Sequence, residues 1–302
     1  MKIGILTRLP NYYTERRLQE EAEKRGHEVI MLRSSACHIE IDSGSPKVIY
    51  KGEVLEHLDA IIPRIAPSNA SYSSAILRQF ETMGVYTPAT SLAIGRSHDI
   101  LRTLQLLSKG GIGVPKTIVT HEPDQLDNLL ERVGLPAVIK TASVSRNSGA
   151  VLVESPKAAN SVLKAFYMSD ADLLLQEYVG KNGEEMQDVR VIVVGSMVVA
   201  SVKRNGSAQK FFAKPGKDEY ELAAKLSEEE SRVAVRAAKA MGLNVCAVDM
   251  ITTPHQQFVL RLDASPGLEN IETTTKRNVA SHIMEYIEKN AKQRNRKDKV
   301  GA

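Results

Sequence analysis

The sequence predicts an α/β protein built from more than one domain. A strand-like run at 2–7 is followed by a helical segment at 14–25 and a second strand-like run at 27–32. This strand–helix–strand order is typical of a parallel sheet. With 302 residues, 42% of them hydrophobic, the chain is long enough for two or three packed cores.

Composition shifts place domain boundaries near residues 95 and 180. We therefore expect an N-terminal α/β domain at 1–95, a central domain at 96–180 and a C-terminal domain at 181–290. Residues 291–302 form a basic tail, which is typical of a solvated helix end.

Several protein classes are disfavoured by composition. No apolar run reaches membrane-spanning length. Cys37 and Cys246 are far apart and form no CxxC motif, which favours a reducing compartment without disulfides or zinc, and hence the cytoplasm. There is no Trp, no RNA-reading aromatic motif and no GxGxxG after the first strand. Nucleic-acid readers and dinucleotide-binding folds are therefore not expected.

The N-terminal part offers one candidate binding residue. Arg64 ends a buried strand at 60–65, where open α/β sheets bind ligands at the carboxyl ends of their strands. A plain surface arginine is the alternative. Further along, Ser97 is predicted as the N-cap of a helix with a single apolar stripe, formed by Ile100, Leu104 and Leu107.

A second α/β module follows residue 114. Its strands are predicted at 117–120, 137–140, 150–153 and 173–178, with a helix at 123–133. Lys140 ends one strand beside a hairpin tip at 141–149 and could bind a phosphate; a solvated lysine is the alternative. The strand ending in Glu177 and Tyr178 could present backbone groups to an adenine edge.

The C-terminal part begins with a predicted hairpin, 188–194 and 197–203, turning at Gly195-Ser196. Four cations lie in or after it: Lys203, Arg204, Lys210 and Lys214. A capping box at Ser227 and Glu230 opens a helix that Gly242 ends, and a terminal helix is predicted at 279–290.

A second hairpin at 247–263 carries the strongest chemical signal. Period-two alternation places Ala247, Asp249 and Ile251 on one face of its first strand. On its second strand, the shared face is formed by Val259, Arg261 and Asp263. Antiparallel pairing brings Asp249 across from the Arg261 side. Carboxylates on paired strands, ahead of an Asp-Ala-Ser-Pro-Gly loop, could hold Mg²⁺ against phosphates; an exposed face with one salt bridge is the alternative.

Short segments in one order along nearly the whole chain resemble a known family. They are IIPRI at 61–65, LRQFE at 77–81, LQLL at 104–107, LQEY at 175–178, DVR at 188–190, AVD at 247–249 and ASPGLENIE at 264–272. They resemble RimK, an ATP-grasp ligase that adds glutamate to the C-terminus of a small-subunit ribosomal protein. The resemblance implies an ATP-grasp fold with an N-terminal pre-ATP-grasp domain and ATP clamped between two sheets.

The resemblance also implies roles for individual residues, residue by residue along the matching motifs. ATP would be bound by Lys140, Glu177, Tyr178 and Asp188. Mg²⁺ or Mn²⁺ would be bound by Asp249 and Asp263, catalysis would use Arg204 and Lys210, and Arg64 would bind the acceptor. The implied partners are glutamate and the C-terminus of a ribosomal or other acceptor, and a homo-oligomer is expected.

The chain departs from the family pattern at four places. Arg261 stands where the family has a glutamate metal ligand, and Ile100 where it has a lysine. The loop TASVSRNSG keeps one glycine, Gly149, of a Gly-rich phosphate loop, and Phe212 replaces an asparagine. At roughly 4 Å and an effective dielectric near 20, an arginine repels a divalent ion by about 8 kcal/mol. Two functions therefore stay open: a glutamate ligase, and a catalytically impaired paralogue that acts through partner binding.

Overall fold

The structure is a computed structural model that describes residues 1–121, 126–141, 150–167, 172–180, 186–204 and 220–291. The strands are β1 (Lys2–Thr7), β2 (Glu28–Arg33), β3 (Cys37–Glu40), β4 (Lys47–Tyr50), β5 (Glu53–Val54), β6 (Ala60–Arg64), β7 (Thr117–Thr120), β8 (Ala137–Thr141), β9 (Ala150–Val153), β10 (Leu173–Glu177), β11 (Gln187–Val194), β12 (Met197–Arg204), β13 (Tyr220–Ala223), β14 (Val245–Thr252) and β15 (Gln257–Asp263). The helices are α1 (Tyr13–Lys24), α2 (Ala70–Thr82), α3 (Ser91–His98), α4 (Ile100–Lys109), α5 (Leu126–Val133), α6 (Pro156–Tyr167), α7 (Glu228–Met241), α8 (Glu269–Thr275) and α9 (Val279–Ala291).

The N-terminal region confirms the predicted strand–helix–strand unit. β1 pairs in parallel with both β2 and β6, and α1 connects β1 to β2. Strands β3, β4 and β5 form a separate antiparallel sheet. In the parallel sheet Thr7 and Arg64 lie side by side at the carboxyl ends of β1 and β6. Arg64 therefore lies at the strand end where the sequence predicts it.

The predicted N-cap at Ser97 is wrong. Ser97 lies inside α3, where its hydroxyl donates to the Ile94 carbonyl at 2.9 Å. Asp99 is the N-cap of α4, and its carboxylate accepts from the Arg102 N–H at 3.0 Å. A carboxylate satisfies an orphan helix N–H as well as a hydroxyl does, so the pattern allowed either residue. The apolar stripe is confirmed, because Leu104 and Leu107 are buried.

The central region is an antiparallel sheet in the order β7-β10-β8-β9. It has a hydrophobic core of its own, formed with α5 and α6 and including Leu130, Ile139, Leu163 and Leu175. The predicted pairing of β8 with β9 is confirmed. Residues 142–149, which make up nearly all of the predicted phosphate loop, lie outside the described residues.

The C-terminal region is an antiparallel sheet in the order β13-β12-β11-β14-β15. One face packs on the core that contains α7, through residues such as Val191 and Val248. The other face packs on α8 and α9, through residues such as Ile192 and Ala247. Residues of α1 belong to this second core, so the N-terminal domain and the C-terminal sheet share one packed interior.

The predicted face of Val259 on β15 is wrong, because the strand contains a β-bulge. Asp249 pairs with Arg261, whereas the next residue, Met250, pairs with Val259, which leaves Leu260 as the extra residue. The bulge reverses the alternation, so Val259 lies in the α7 core with Met250, on the opposite face from Arg261. The predicted shared face of Arg261 and Asp263, across from Asp249, is confirmed.

Both cysteines, Cys37 and Cys246, are free and buried. Burial raises the pKa of the Cys37 thiol to about 11. Within the described ranges, every helix is too short or too polar to cross a bilayer.

Candidate functional site

A row of charged side chains crosses the C-terminal sheet. Arg190 on β11 lies directly opposite Asp249 on β14, and Asp249 lies opposite Arg261 on β15. Asp263, two residues after Arg261, completes a set that we call the charged row: Arg190, Asp249, Arg261 and Asp263. It occupies the face of the sheet that carries the α8–α9 core, beyond the end of that core.

The members of the charged row are ion-paired with one another. Arg190 donates from Nη2 to Asp263 Oδ2 at 2.9 Å, and its Nη1 lies 3.6 Å from Asp249 Oδ1. Arg261 donates from Nε to Asp249 Oδ2 at 2.5 Å. Each carboxylate oxygen of Asp249 therefore faces the guanidinium of a different arginine.

Burial explains why these charges pair so closely. The side chains of Asp249 and Arg190 are only 6% and 8% exposed, whereas that of Arg261 is 52% exposed. A buried charge is strongly disfavoured unless an opposite charge and hydrogen bonds compensate it. The Asp249 carboxylate accordingly raises the pKa of the Arg261 guanidinium. The row is a buried ion-pair network with one arginine that reaches solvent.

Lys140, from the central sheet, approaches the same place. Its Nζ donates to Gln176 Oε1 at 3.0 Å, and Gln176 in turn donates from Nε2 to Thr117 Oγ1 at 2.8 Å. Burial, and secondarily the positive charge of Arg261, lowers the pKa of Lys140 to about 8. The structure therefore brings a lysine of one sheet within electrostatic range of an arginine of the other.

The predicted adenine-binding residues end the neighbouring strand β10. The Glu177 carboxylate accepts from the Lys116 N–H at 2.7 Å, and the Glu177 N–H donates to the Lys116 carbonyl at 2.9 Å. The Tyr178 N–H donates to the Pro136 carbonyl at 3.3 Å, and burial raises the pKa of its hydroxyl. Glu177 thus holds the strand ends together, and its nucleotide-binding role stays a prediction.

Arg64 lies at the junction of the N-terminal domain and the loop after β15. Its Nε donates to Glu15 Oε1 at 3.1 Å, and its Nη1 donates to the Pro266 carbonyl at 2.9 Å. Ser265 joins this junction to the charged row, since its N–H donates to Asp263 Oδ1 at 2.9 Å and its Oγ accepts from the Ile65 N–H at 3.1 Å. The acceptor-binding role of Arg64 stays a prediction.

The remaining predicted residues are less completely placed. Asp188 lies on β11 two residues before Arg190, and Arg204 ends β12 opposite Tyr220. Ile100 is the first residue of α4. Lys210 and Phe212 lie outside the described residues.

Arg190 is the site residue that sequence reasoning missed. The sequence resemblance includes Arg190 only as part of the DVR segment, although the sequence carries a signal for it. It is a charged residue followed by the apolar run Val191–Val194, on a strand that is central in its sheet. Such a residue must find an opposite charge nearby, which two strand-borne aspartates supply.

The charged row does not fit Mg²⁺ as it stands. Mg²⁺ requires near-octahedral oxygen coordination, whereas Asp249 Oδ2 accepts a hydrogen bond from Arg261 and only the buried Oδ1 of this carboxylate has no hydrogen-bond partner within the described part of the chain. Among the residues that the structure describes, no three His, Cys, Asp or Glu side chains cluster as a metal site. The role of Asp249 and Asp263 as metal ligands therefore stays a prediction, and the arginine contacts argue against it.

Comparison with known proteins gives full-length matches. The family model described as the RimK PreATP-grasp domain matches residues 1–94, and that of the RimK-like ATP-grasp domain matches residues 97–287. A probable alpha-L-glutamate ligase of Hydrogenovibrio crunogenus is 46% identical over 298 residues, covering 98% of each chain. A probable alpha-L-glutamate ligase of Picosynechococcus is 46% identical over 292 residues, covering 96% of each.

Solved structures show the same fold at low sequence identity. The ATP-grasp ligase PsnB, complexed with a minimal precursor, superposes with a TM-score of 0.75 at 18% identity, covering 95% of this chain and 98% of PsnB. A RimK domain protein from Sphaerobacter thermophilus superposes with a TM-score of 0.67 at 18% identity, covering 95% and 99%. The predicted ATP-grasp fold with an N-terminal α/β domain is confirmed. By fold and by sequence, this chain belongs to the RimK-like ATP-grasp family of alpha-L-glutamate ligases.

Proposed function

We propose that this protein is an ATP-dependent carboxylate–amine ligase that joins glutamate to the C-terminus of a peptide or protein acceptor. The single observation that carries the proposal is the 46% identity, over 98% of both chains, with a relative named as a probable alpha-L-glutamate ligase. A small-subunit ribosomal protein is the acceptor that the sequence resemblance predicts. A cytoplasmic location and a homo-oligomeric state belong to the same proposal.

In this reaction the acceptor carboxylate attacks the γ-phosphorus of ATP, which gives an acyl phosphate and ADP. The amino group of glutamate then attacks the acyl carbon, so that an amide forms and phosphate leaves. Catalysis of phosphoryl transfer depends on positioned positive charge. Arg261 supplies such charge in this proposal, because its side chain is half exposed beside Asp249, and Lys140, near the end of β8, adds to it.

For the other predicted residues, the proposal keeps the roles that the sequence resemblance implies. Glu177 and Tyr178 border the adenine, and Asp188 lies toward the ribose. Arg204 and Lys210 contribute further positive charge at the phosphates. Arg64, at the strand end beside the loop after β15, binds the acceptor carboxylate.

A second candidate function is favoured by the contacts of Asp249. A predicted metal ligand whose oxygens both face arginines suits a paralogue with impaired catalysis. Such a protein would bind nucleotide weakly or not at all and act by binding a partner. Ile100 and Phe212, which replace family residues, point the same way.

The experiment that tests the ligase proposal uses the intact protein with ATP, Mg²⁺, glutamate and acceptor peptides. We expect phosphate release together with an acceptor whose mass increases by whole glutamyl residues. A matched acceptor with a C-terminal amide is the control, because it has no carboxylate to activate. ATP binding without any glutamylated product, across acceptors that an active relative accepts, would favour the second candidate.

A further inference from the structure

We propose that the charged row binds nucleotide phosphate without a divalent cation at Asp249, because Arg261 supplies the positive charge that a metal ion would bring. The inference rests on the proposed use of a nucleotide. In this proposal Arg261 is a phosphate-binding residue, and its guanidinium takes the place of a metal ion beside Asp249.

Asp249 is buried and lies within ion-pair distance of two arginines. Its side chain is 6% exposed, and its Oδ2 accepts from Arg261 Nε at 2.5 Å while its Oδ1 faces Arg190 Nη1 at 3.6 Å. A metal ion at Oδ2 would have to displace Arg261, and one at Oδ1, which has no hydrogen-bond partner among the described residues, would lie beside the Arg190 guanidinium. It would also meet the repulsion of Arg261, which sits opposite Asp249 in the sheet.

The Arg261 side chain can contact a ligand while it stays paired with Asp249. A guanidinium carries five N–H donors in a planar fork, and the contact with Asp249 uses Nε. The side chain is 52% exposed, so its outer edge can meet a ligand while Asp249 fixes its orientation. Arginine in this geometry suits the bidentate recognition of phosphate.

The local charge balance favours an anionic ligand. Two guanidinium groups lie here, because Arg190 is buried behind Asp249 and Arg261 meets Asp249 from the solvent side. They face the two carboxylates of Asp249 and Asp263. Because the Arg190 and Asp249 side chains are buried and that of Arg261 is half exposed, the charge that this pair presents to solvent is positive, which attracts a polyphosphate and disfavours a further cation.

The test is isothermal titration calorimetry with a non-hydrolysable ATP analogue, in Mg²⁺ and in EDTA, on the full-length protein. For the wild type we expect dissociation constants that agree within about threefold in the two buffers, which is less than 1 kcal/mol of difference. Arg261→Glu should bind at least about tenfold more weakly in EDTA than in Mg²⁺, because it exchanges the fixed cation for a metal ligand.

Two further variants keep the test interpretable. Arg261→Gln removes the charge without adding a ligand, so its affinity should fall in both buffers. Arg232→Glu makes the same charge change as Arg261→Glu on an exposed part of α7, where Arg232 pairs with Glu229. It should behave as the wild type does, and melting curves of all variants check that they are folded.

The outcomes separate this inference from the proposed function. Wild-type binding that requires Mg²⁺ overturns the inference and leaves the ligase proposal standing. An unchanged affinity in Arg261→Gln also overturns it, because Arg261 would then not contact the phosphates. No binding of the analogue in either buffer overturns the proposed nucleotide-dependent function, and the inference with it.

Discussion

At the scale of single residues, Arg190 organises the candidate site. It is buried between two aspartates that come from different strands, and it holds both within ion-pair distance. Arg261 adds to the same network from the solvent side. The two arginines therefore differ in role, because one neutralises buried carboxylates and the other can meet a ligand.

Replacing Arg190 should destabilise the fold. Arg190→Met leaves Asp249 and Asp263 without their buried counter-ion, and breaking such a pair costs about 3 kcal/mol or more. Urea unfolding followed by circular dichroism measures the change. Arg232→Gln is the matched control, expected to cost about 1 kcal/mol or less because Arg232 is exposed on α7, where it pairs with Glu229. Equal losses in the two variants would show that the difference in burial does not matter.

The pKa of Lys140 should respond to Arg261. Burial and the nearby guanidinium lower this pKa to about 8, so Arg261→Gln should raise it and Arg261→Glu should raise it further. Carbon-13 NMR titration of the lysine ε-methylene groups measures the midpoint, with Lys140→Arg used to assign the signal. A midpoint that does not move in either variant would show that the two sheets do not bring these residues together.

The same shift gives stability a predictable dependence on pH. Between pH 8 and the ordinary lysine pKa of 10.5, the unfolded chain binds more protons at this site than the folded chain. Stability contributed by Lys140 should therefore rise with pH across that window. Lys140→Arg, which stays protonated throughout, should abolish this part of the pH dependence of the unfolding free energy.

The sequence correctly predicts the face of a side chain where two regular strands pair. It does not do so where the pairing is irregular. The facing of Asp249 and Arg261 followed from pairing two regular strands. Strand alternation predicts the wrong face for Val259, because Leu260 is the extra residue of a β-bulge that the sequence pattern does not indicate. Asp99, and not Ser97, caps α4 because either side chain can satisfy the same helix N–H.

At the scale of secondary-structure elements, a buried carboxylate is one of several polar groups that attach α1 to α8 and α9. Glu272 of α8 is buried, and its Oε2 accepts from Tyr13 at 3.1 Å and from Arg17 Nε at 3.3 Å. Its Oε1 accepts from the Ala280 N–H at 3.0 Å. This carboxylate joins the first helix to the last two, and so joins the N-terminal domain to the C-terminal sheet.

Removing that carboxylate should loosen the attachment of α1. Glu272→Ala is expected to cost about 2–3 kcal/mol, since it deletes three hydrogen bonds, one of them buried, and leaves Arg17 with fewer partners. Chemical denaturation measures the loss. Glu285→Ala is the control, because Glu285 is more exposed and pairs with Arg25 on the rim of the same interface. If Glu272→Ala lowers the free energy of unfolding no more than Glu285→Ala does, the Glu272 carboxylate does not join these helices in the way described.

At the scale of the whole molecule, much of the architecture was predictable from the sequence. The parallel opening unit, both C-terminal hairpins, the capping box at Ser227 and the terminal helix all form, because each rests on a local pattern. The junction at Arg64 was not predictable. Its partners Glu15 and Pro266 lie 49 and 202 residues away along the chain, and no periodicity encodes such contacts.

At the same scale, the arginine opposite Asp249 does not follow from the family relationship. The RimK-like ATP-grasp family model spans residues 97–287, yet the position opposite Asp249 carries an arginine where the sequence resemblance predicts a glutamate. The exchange turns a predicted cation site into an ion-pair network. We therefore predict that Arg261 and Arg190 hold Asp249 and that this carboxylate does not bind a divalent metal ion.

Direct titration of Mn²⁺ into the nucleotide-free protein, followed by electron paramagnetic resonance, tests that claim most directly. The wild type should leave the spectrum of aqueous Mn²⁺ undiminished, whereas Arg261→Glu should reduce it by binding the ion. Stoichiometric loss of the aqueous signal with the wild-type protein, abolished by Asp249→Asn, would contradict the claim.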